Sequence, residues 1–133
     1  MLSIKVVLRY KDGRVLKGST QNFFPNKDRF HLSLADKSSG SPIEIFMREL
    51  KAVFIVRDFE GNPDYQERKE FFGEEKTLGR KVEVFFQDGE VLVGSTLSYD
   101  LKRPGFFIFP ADPQSNNLKA FVVSSAVKYV RQV

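Results

Sequence analysis

Cysteine and tryptophan are both absent from this 133-residue chain, and histidine occurs once. Without cysteine there is no disulfide framework, and a single histidine cannot build the Cys/His cluster that holds a structural zinc. Nucleophilic catalysis is equally short of parts. His31 is the only imidazole, and no serine stands in a strand–turn–helix nucleophile pattern. Long apolar runs are missing too: none approaches the ~20 residues of a membrane span. The opening Met1-Leu2-Ser3-Ile4-Lys5 passes straight into a strand-like pattern, without the layout of a signal peptide. These absences lead us to expect a cytoplasmic protein that is not an enzyme, takes no metal or cofactor and contacts no membrane.

Charge of one sign is also scarce. The net charge is +4, made of +4 in residues 1–60, −2 in 61–79 and +2 in 80–133. A dedicated nucleic-acid binder concentrates more positive charge than this. What is abundant is core material: 41% of residues are hydrophobic and 14 are phenylalanine.

The chain matches itself at a shift of 76. Lys5, Val6, Asp12, Gly13, Val15, Leu16, Gly18, Ser19, Thr20, Phe30, Ala35 and Asp36 meet Lys81, Val82, Asp88, Gly89, Val91, Leu92, Gly94, Ser95, Thr96, Phe106, Ala111 and Asp112. That is 12 identities over 32 gap-free positions, and after one inserted residue Leu50-Lys51-Ala52-Val53 follows the pattern of Val127-Lys128-Tyr129-Val130. Two copies alone favour a duplicated closed unit, since an open solenoid needs about three repeats.

Each copy reads as β. Ile4, Val6, Leu8 and Tyr10 alternate with Lys5, Val7, Arg9 and Lys11, a period-two face. Asp12-Gly13 and Asp88-Gly89 then predict two-residue hairpin turns with positive φ at both positions. Gly18 and Gly94 fall inside the next run, where a glycine marks a bend or a close backbone approach. Third, fourth and fifth runs follow at Phe30–Leu34, Ile43–Met47 and Ala52–Val56, and again around Phe106, Phe121–Val123 and Val127–Val130. The expected fold is all-β: two tandem five-stranded small barrels, 1–60 and 80–133, joined by a charged linker at 61–79. Pro63, Asp64 and Glu67 form a capping-box-like start for a short linker helix over about 64–72. Asp58, Glu60, Asn62 and Asp64 alternate like the start of a calcium loop, but Pro63 and Lys69 stand where the EF-hand needs its glycine and glutamate.

Strand, Asp-Gly turn, glycine-containing strand and then an aromatic resemble the first half of Sm/Hfq-like and SH3-like small barrels. Gly94-Ser95-Thr96-Leu97-Ser98-Tyr99-Asp100 looks most like the Sm signature, with Tyr99-Asp100 at its aromatic–aspartate pair. Neither copy keeps the asparagine that follows it or the Arg-Gly of the second Sm motif, so the RNA-base pocket does not carry over. The whole chain is similar to a bacterial family of conserved proteins of unknown function, through Phe23-Phe24-Pro25-Asn26-Lys27, the stretch Lys51 to Pro63 and Pro104-Gly105-Phe106-Phe107.

Two groups of residues are candidates for binding. The loop after the second strand carries Phe23, Phe24, Asn26, Lys27 and Arg29 in copy one, and Tyr99, Lys102 and Arg103 in copy two. Cations beside aromatics suit stacking plus phosphate contact, but the favoured reading is that the aromatics are plugs over a barrel and the cations are solvated. Gly105-Phe106-Phe107-Ile108-Phe109 is apolar on both faces, so Phe107 and Phe109 are expected to meet the sister barrel, a second chain or another protein. The first hairpin is basic through Lys5, Arg9, Lys11, Arg14 and Lys17, but copy two replaces Arg9, Arg14 and Lys17 with Phe85, Glu90 and Val93. A shared phosphate-backbone surface would have kept that charge. The expectation is a non-catalytic binding or adaptor module, with a protein partner or self-association favoured and nucleic acid as the alternative.

Overall fold

Alternating side chains become strand along most of the chain, as the computed structural model shows for residues 3–36, 40–60, 77, 79–112 and 114–133. The first half holds β1 (Ile4–Tyr10), β2 (Val15–Thr20), β3 (Arg29–Leu34), β4 (Ile43–Phe46) and β5 (Leu50–Val56), with a 3-10 turn at Met47–Glu49. The second holds β6 (Arg80–Phe86), β7 (Val91–Thr96), β8 (Gly105–Pro110), β9 (Asn117–Val123) and β10 (Val127–Gln132), with a 3-10 turn at Ser124–Ala126. The linker helix expected over 64–72 lies outside the described residues, as does most of the calcium-like loop.

All ten strands belong to one open antiparallel sheet, in the order β10-β6-β7-β8-β9-β5-β1-β2-β3-β4. Two barrels, each closed on itself, are therefore not what the hydrogen bonding shows. The reason lies in β5, which is apolar on both faces and cannot stand at an edge. Leu50, Val53 and Ile55 enter the first core, while Lys51 and Ala52 are buried on the other side. One edge of β5 pairs with β1 and the other with β9, in the register Ala52↔Val122, Val53↔Phe121 and Phe54↔Ala120.

Strand β9 serves two cores at once. Phe121 and Val123 pack with Leu8, Phe30 and Leu50 in the first, whereas Val122 packs with Val82, Phe106 and Ile108 in the second. Burying a phenylalanine in this way contributes about 1.5–3 kcal/mol. The halves otherwise use matching positions: Val6, Phe30 and Leu32 of one core correspond to Val82, Phe106 and Ile108 of the other. The hairpin registers also match, Ile4↔Thr20 through Arg9↔Val15 against Arg80↔Thr96 through Phe85↔Val91.

The hairpin turns differ from the two-residue form expected. Among the described residues only glycines have positive φ, with Gly13 at 96° and Gly89 at 94°. Gly13 N–H donates to the Tyr10 carbonyl (3.1 Å) and Tyr10 N–H to the Arg14 carbonyl (2.9 Å), so the loop has three residues, Lys11-Asp12-Gly13. Asp12 keeps an ordinary backbone, and its carboxylate accepts from the Arg14 N–H (3.0 Å); Asp88 does the same for Glu90. The interior glycines answer a close approach. A Cβ on Gly18 would stand 2.3 Å from the Ser33 carbonyl oxygen, and one on Gly94 2.3 Å from that of Phe109.

Candidate binding groove

The loops after β2 and β7 are short turns held by their own backbone. Lys27 N–H donates to the Phe24 carbonyl (3.0 Å), and Arg103 N–H to that of Asp100 (3.0 Å). The Asp100 carboxylate also accepts from the Lys102 N–H (2.9 Å). Asn22 fixes the first loop to β3: its side-chain oxygen accepts from the His31 N–H (2.9 Å), and its amide nitrogen lies 3.0 Å from His31 Nδ1. Because β8 and β9 continue the sheet from β5, the second loop is carried to the side of the first.

The two loops meet over a groove of about 510 Å³, to which one contributes Asn26 and Lys27 and the other Lys102 and Arg103, above Arg48 and Ser124. Arg103 also borders a second groove of about 540 Å³, lined by Pro25, Tyr99, Phe107, Phe109 and Lys119. The two grooves share Arg103 and, taken together as a trough, draw residues from both halves.

The structure divides the expected binding residues. Phe23 is half-buried and meets Phe30 and Phe121 edge-to-face at 5.2 and 5.6 Å, sealing the first core. Tyr99 leans on Phe106 at 5.9 Å and belongs to the second core. Phe24 is 46% exposed. Arg29 is engaged away from the trough: it pairs with Asp28 (3.2 Å) and Glu44 (3.5 Å) and lies over the Phe46 ring. Phe107 packs against Phe121 at 5.2 Å and joins the first core, with Lys119 4.6 Å from its ring centroid. Phe109 is half-buried in the trough wall.

Positive charge in the trough is only partly compensated. Among the described residues the side chains of Lys27, Lys102 and Arg103 have no hydrogen bond or ion pair. Arg48 rests over Phe46 at 4.7 Å with no carboxylate partner. Two carboxylates border the trough: Asp28, held below the usual carboxylate range chiefly by the hydrogen bond and charge of Arg29 and further by Arg48, and Asp100, which accepts from the Lys102 N–H. Ser124 has a buried side-chain oxygen without a hydrogen-bond partner.

Several residues important to the join escape a sequence reading. Lys51 is buried beneath Asp88 (2.7 Å) and Glu90, over the Phe86 ring. Arg9 pairs with Glu90 (3.0 Å), and Lys11 donates to the Arg48 carbonyl (2.8 Å) and the Ser125 hydroxyl (2.6 Å). The signal was present in Lys51, a lone cation inside an otherwise apolar seven-residue run. Among the described residues no group of His, Asp and Glu could hold a metal, and no helix is long and apolar enough to cross a membrane. Asp112 caps its own loop by accepting from the Gln114 N–H (2.9 Å), and Asp36 is exposed.

Chemically the trough can receive anions beside apolar surface. No curated protein and no solved structure matches the chain. The model of a family of unknown function (DUF6982) does match, over residues 2–133, and the chain belongs to that family.

Proposed function

We propose that the protein is a non-catalytic binding module whose ligand is an acidic, partly apolar protein segment lying in the trough between the two loops. The observation that carries this reading is the meeting of Lys27, Arg48, Lys102 and Arg103, none of them ion-paired, from both halves over one groove. Phe24, Leu97 and Leu101 stand exposed on the same loops, at 46, 69 and 42%. Cations among exposed apolar side chains suit acidic residues alternating with hydrophobic ones. Each half is taken as a strongly bent small-barrel unit of SH3 or Sm type, which the matching registers and core positions support. Cytoplasmic residence accords with the lack of cysteine.

Nucleic acid is the second reading, favoured by the exposed ring of Phe24 beside Lys27. Against it, Phe23, Tyr99 and Phe107 turn into the cores, so few ring faces remain for base stacking.

The test is fluorescence anisotropy with two probes, a labelled peptide alternating Glu and Leu and a mixed-sequence single-stranded oligonucleotide, across a salt series. Peptide binding that the pair Lys102→Glu, Arg103→Glu weakens about tenfold or more supports the proposal. Oligonucleotide binding with a steep salt slope and no peptide binding transfers it to the second reading. Binding of neither removes both.

A further inference from the structure

The join inside the chain uses two different edges, that of β5 and that of β9. Strand registers give the counterpart of each in the other half. β3 pairs with β4 from Arg29↔Phe46 to Leu32↔Ile43, and β8 with β9 from Gly105↔Val123 to Ile108↔Ala120, so Ile45 stands where Val122 does. Likewise Leu8↔Val53 and Val84↔Val130 place β10 where β5 is. These counterparts, β4 and β10, are the two ends of the sheet, and among the described residues no strand covers their outer edges.

We propose that copies of this chain associate head to tail, with β4 of one copy pairing antiparallel to β10 of the next in the register of the internal join. Ala52↔Val122 then becomes Tyr129↔Ile45, and Val53↔Phe121 becomes Val130↔Glu44. The Lys51–Asp88 ion pair becomes Lys128 with Asp12, the same residue types at both positions, whereas Glu90, the second partner of Lys51, is replaced by Arg14. Lys128 is exposed and unpaired among the described residues, and the Asp12 carboxylate is engaged only within its own turn, by Arg14.

Charge favours this arrangement over a symmetric one. The β10 edge carries Lys128, with Arg131 already paired to Glu83 of its own half, whereas the β4 edge carries Glu44, paired to Arg29. Two β10 edges would therefore bring together one unpaired cation from each copy. Exposed backbone on an uncovered edge strand is itself a template for another strand. The outer contact has Glu44 where the internal one has Phe121, which makes it more polar and reversible. An interface between unlike edges propagates into a ring or an open chain. This inference is independent of what the trough binds.

Sedimentation velocity of the full chain over a wide concentration range tests it. Association should grow with concentration, and Lys128→Glu and Asp12→Lys should each weaken it about tenfold or more, because each sets like charges at the contact. Mixing the two variants should restore association, since every contact then joins opposite charges. Unchanged circular dichroism and melting of Lys128→Glu, a surface change, separate lost assembly from lost folding. A monomer at every concentration overturns the proposal. So does association that neither reversal weakens, or a failure of mixing to restore it.

Discussion

Lys51 of β5 and Glu90, the residue before β7, hold one another across the join, with the lysine side chain only 5% exposed. Both of its carboxylate partners lie on the far side of the join. Glu90 and Asp88 come from the second half and Lys51 from the first, so the contact exists only when both halves are in place.

Replacing Lys51 by methionine should therefore destabilise the whole chain. Breaking a buried pair costs about 3–5 kcal/mol. Here the carboxylates are 42 and 48% exposed and can rehydrate, so about 1–2 kcal/mol is expected. Urea denaturation reads this as a lower midpoint at unchanged slope.

The same contact should be pH-sensitive. Burial alone would raise the Glu90 carboxyl, but hydrogen bonds from Lys51 and Arg9 outweigh it and hold it below its ordinary value. Asp88 is held low chiefly by the Lys51 hydrogen bond and then by the Glu90 N–H. A carboxyl depressed in the folded state stabilises above its unfolded pKa, about 3.9 for Asp and 4.3 for Glu, and loses that contribution as pH falls through the folded value. The stability gap between the native chain and Lys51→Met should be full near pH 7 and narrow below about pH 4.

Gly94→Ala should lower stability by about 1–3 kcal/mol, since the added methyl would meet the Phe109 carbonyl oxygen as well as the packed Ile108 side chain. Gly18→Ala should behave alike. At Gly89 there is open space, and only the positive φ penalises alanine, by about 1 kcal/mol. Thermal melts of the three variants should rank accordingly.

Phe23 and Phe24 are neighbours with different duties. Phe23→Ala removes a ring from the first core and should cost about 2–3 kcal/mol, below a fully buried phenylalanine because Phe23 is only half-buried. Phe24→Ala should change stability by less than about 0.5 kcal/mol while weakening peptide binding in the trough. Chemical denaturation beside anisotropy separates the two effects.

Strands and hairpin positions were legible because alternation and Asp-Gly dipeptides are local signals. The register match at a shift of 76 carried through to the paired strands of both hairpins. Leu50 to Val56, apolar on both faces, announced a strand covered on both sides without naming β9 as the cover. Phe23 reads equally well as a stacking ring or a plug, and only its distance to Phe121 in the other half decides. The turns depart from the two-residue expectation at Asp12 and Asp88, whose carboxylates satisfy the next-but-one N–H without a left-handed backbone. Lys51 stands out as a lone cation in an apolar run, but its partners are not legible because they lie in the other half.

A strand whose alternate side chains feed two cores ties their fates together. If β9 lets go, Phe121 and Val123 leave one interior while Val122 leaves the other, and neither half keeps a sealed interior. The halves should consequently melt as one cooperative body, and fragments from a chain cut between them should have to find each other before either is stable.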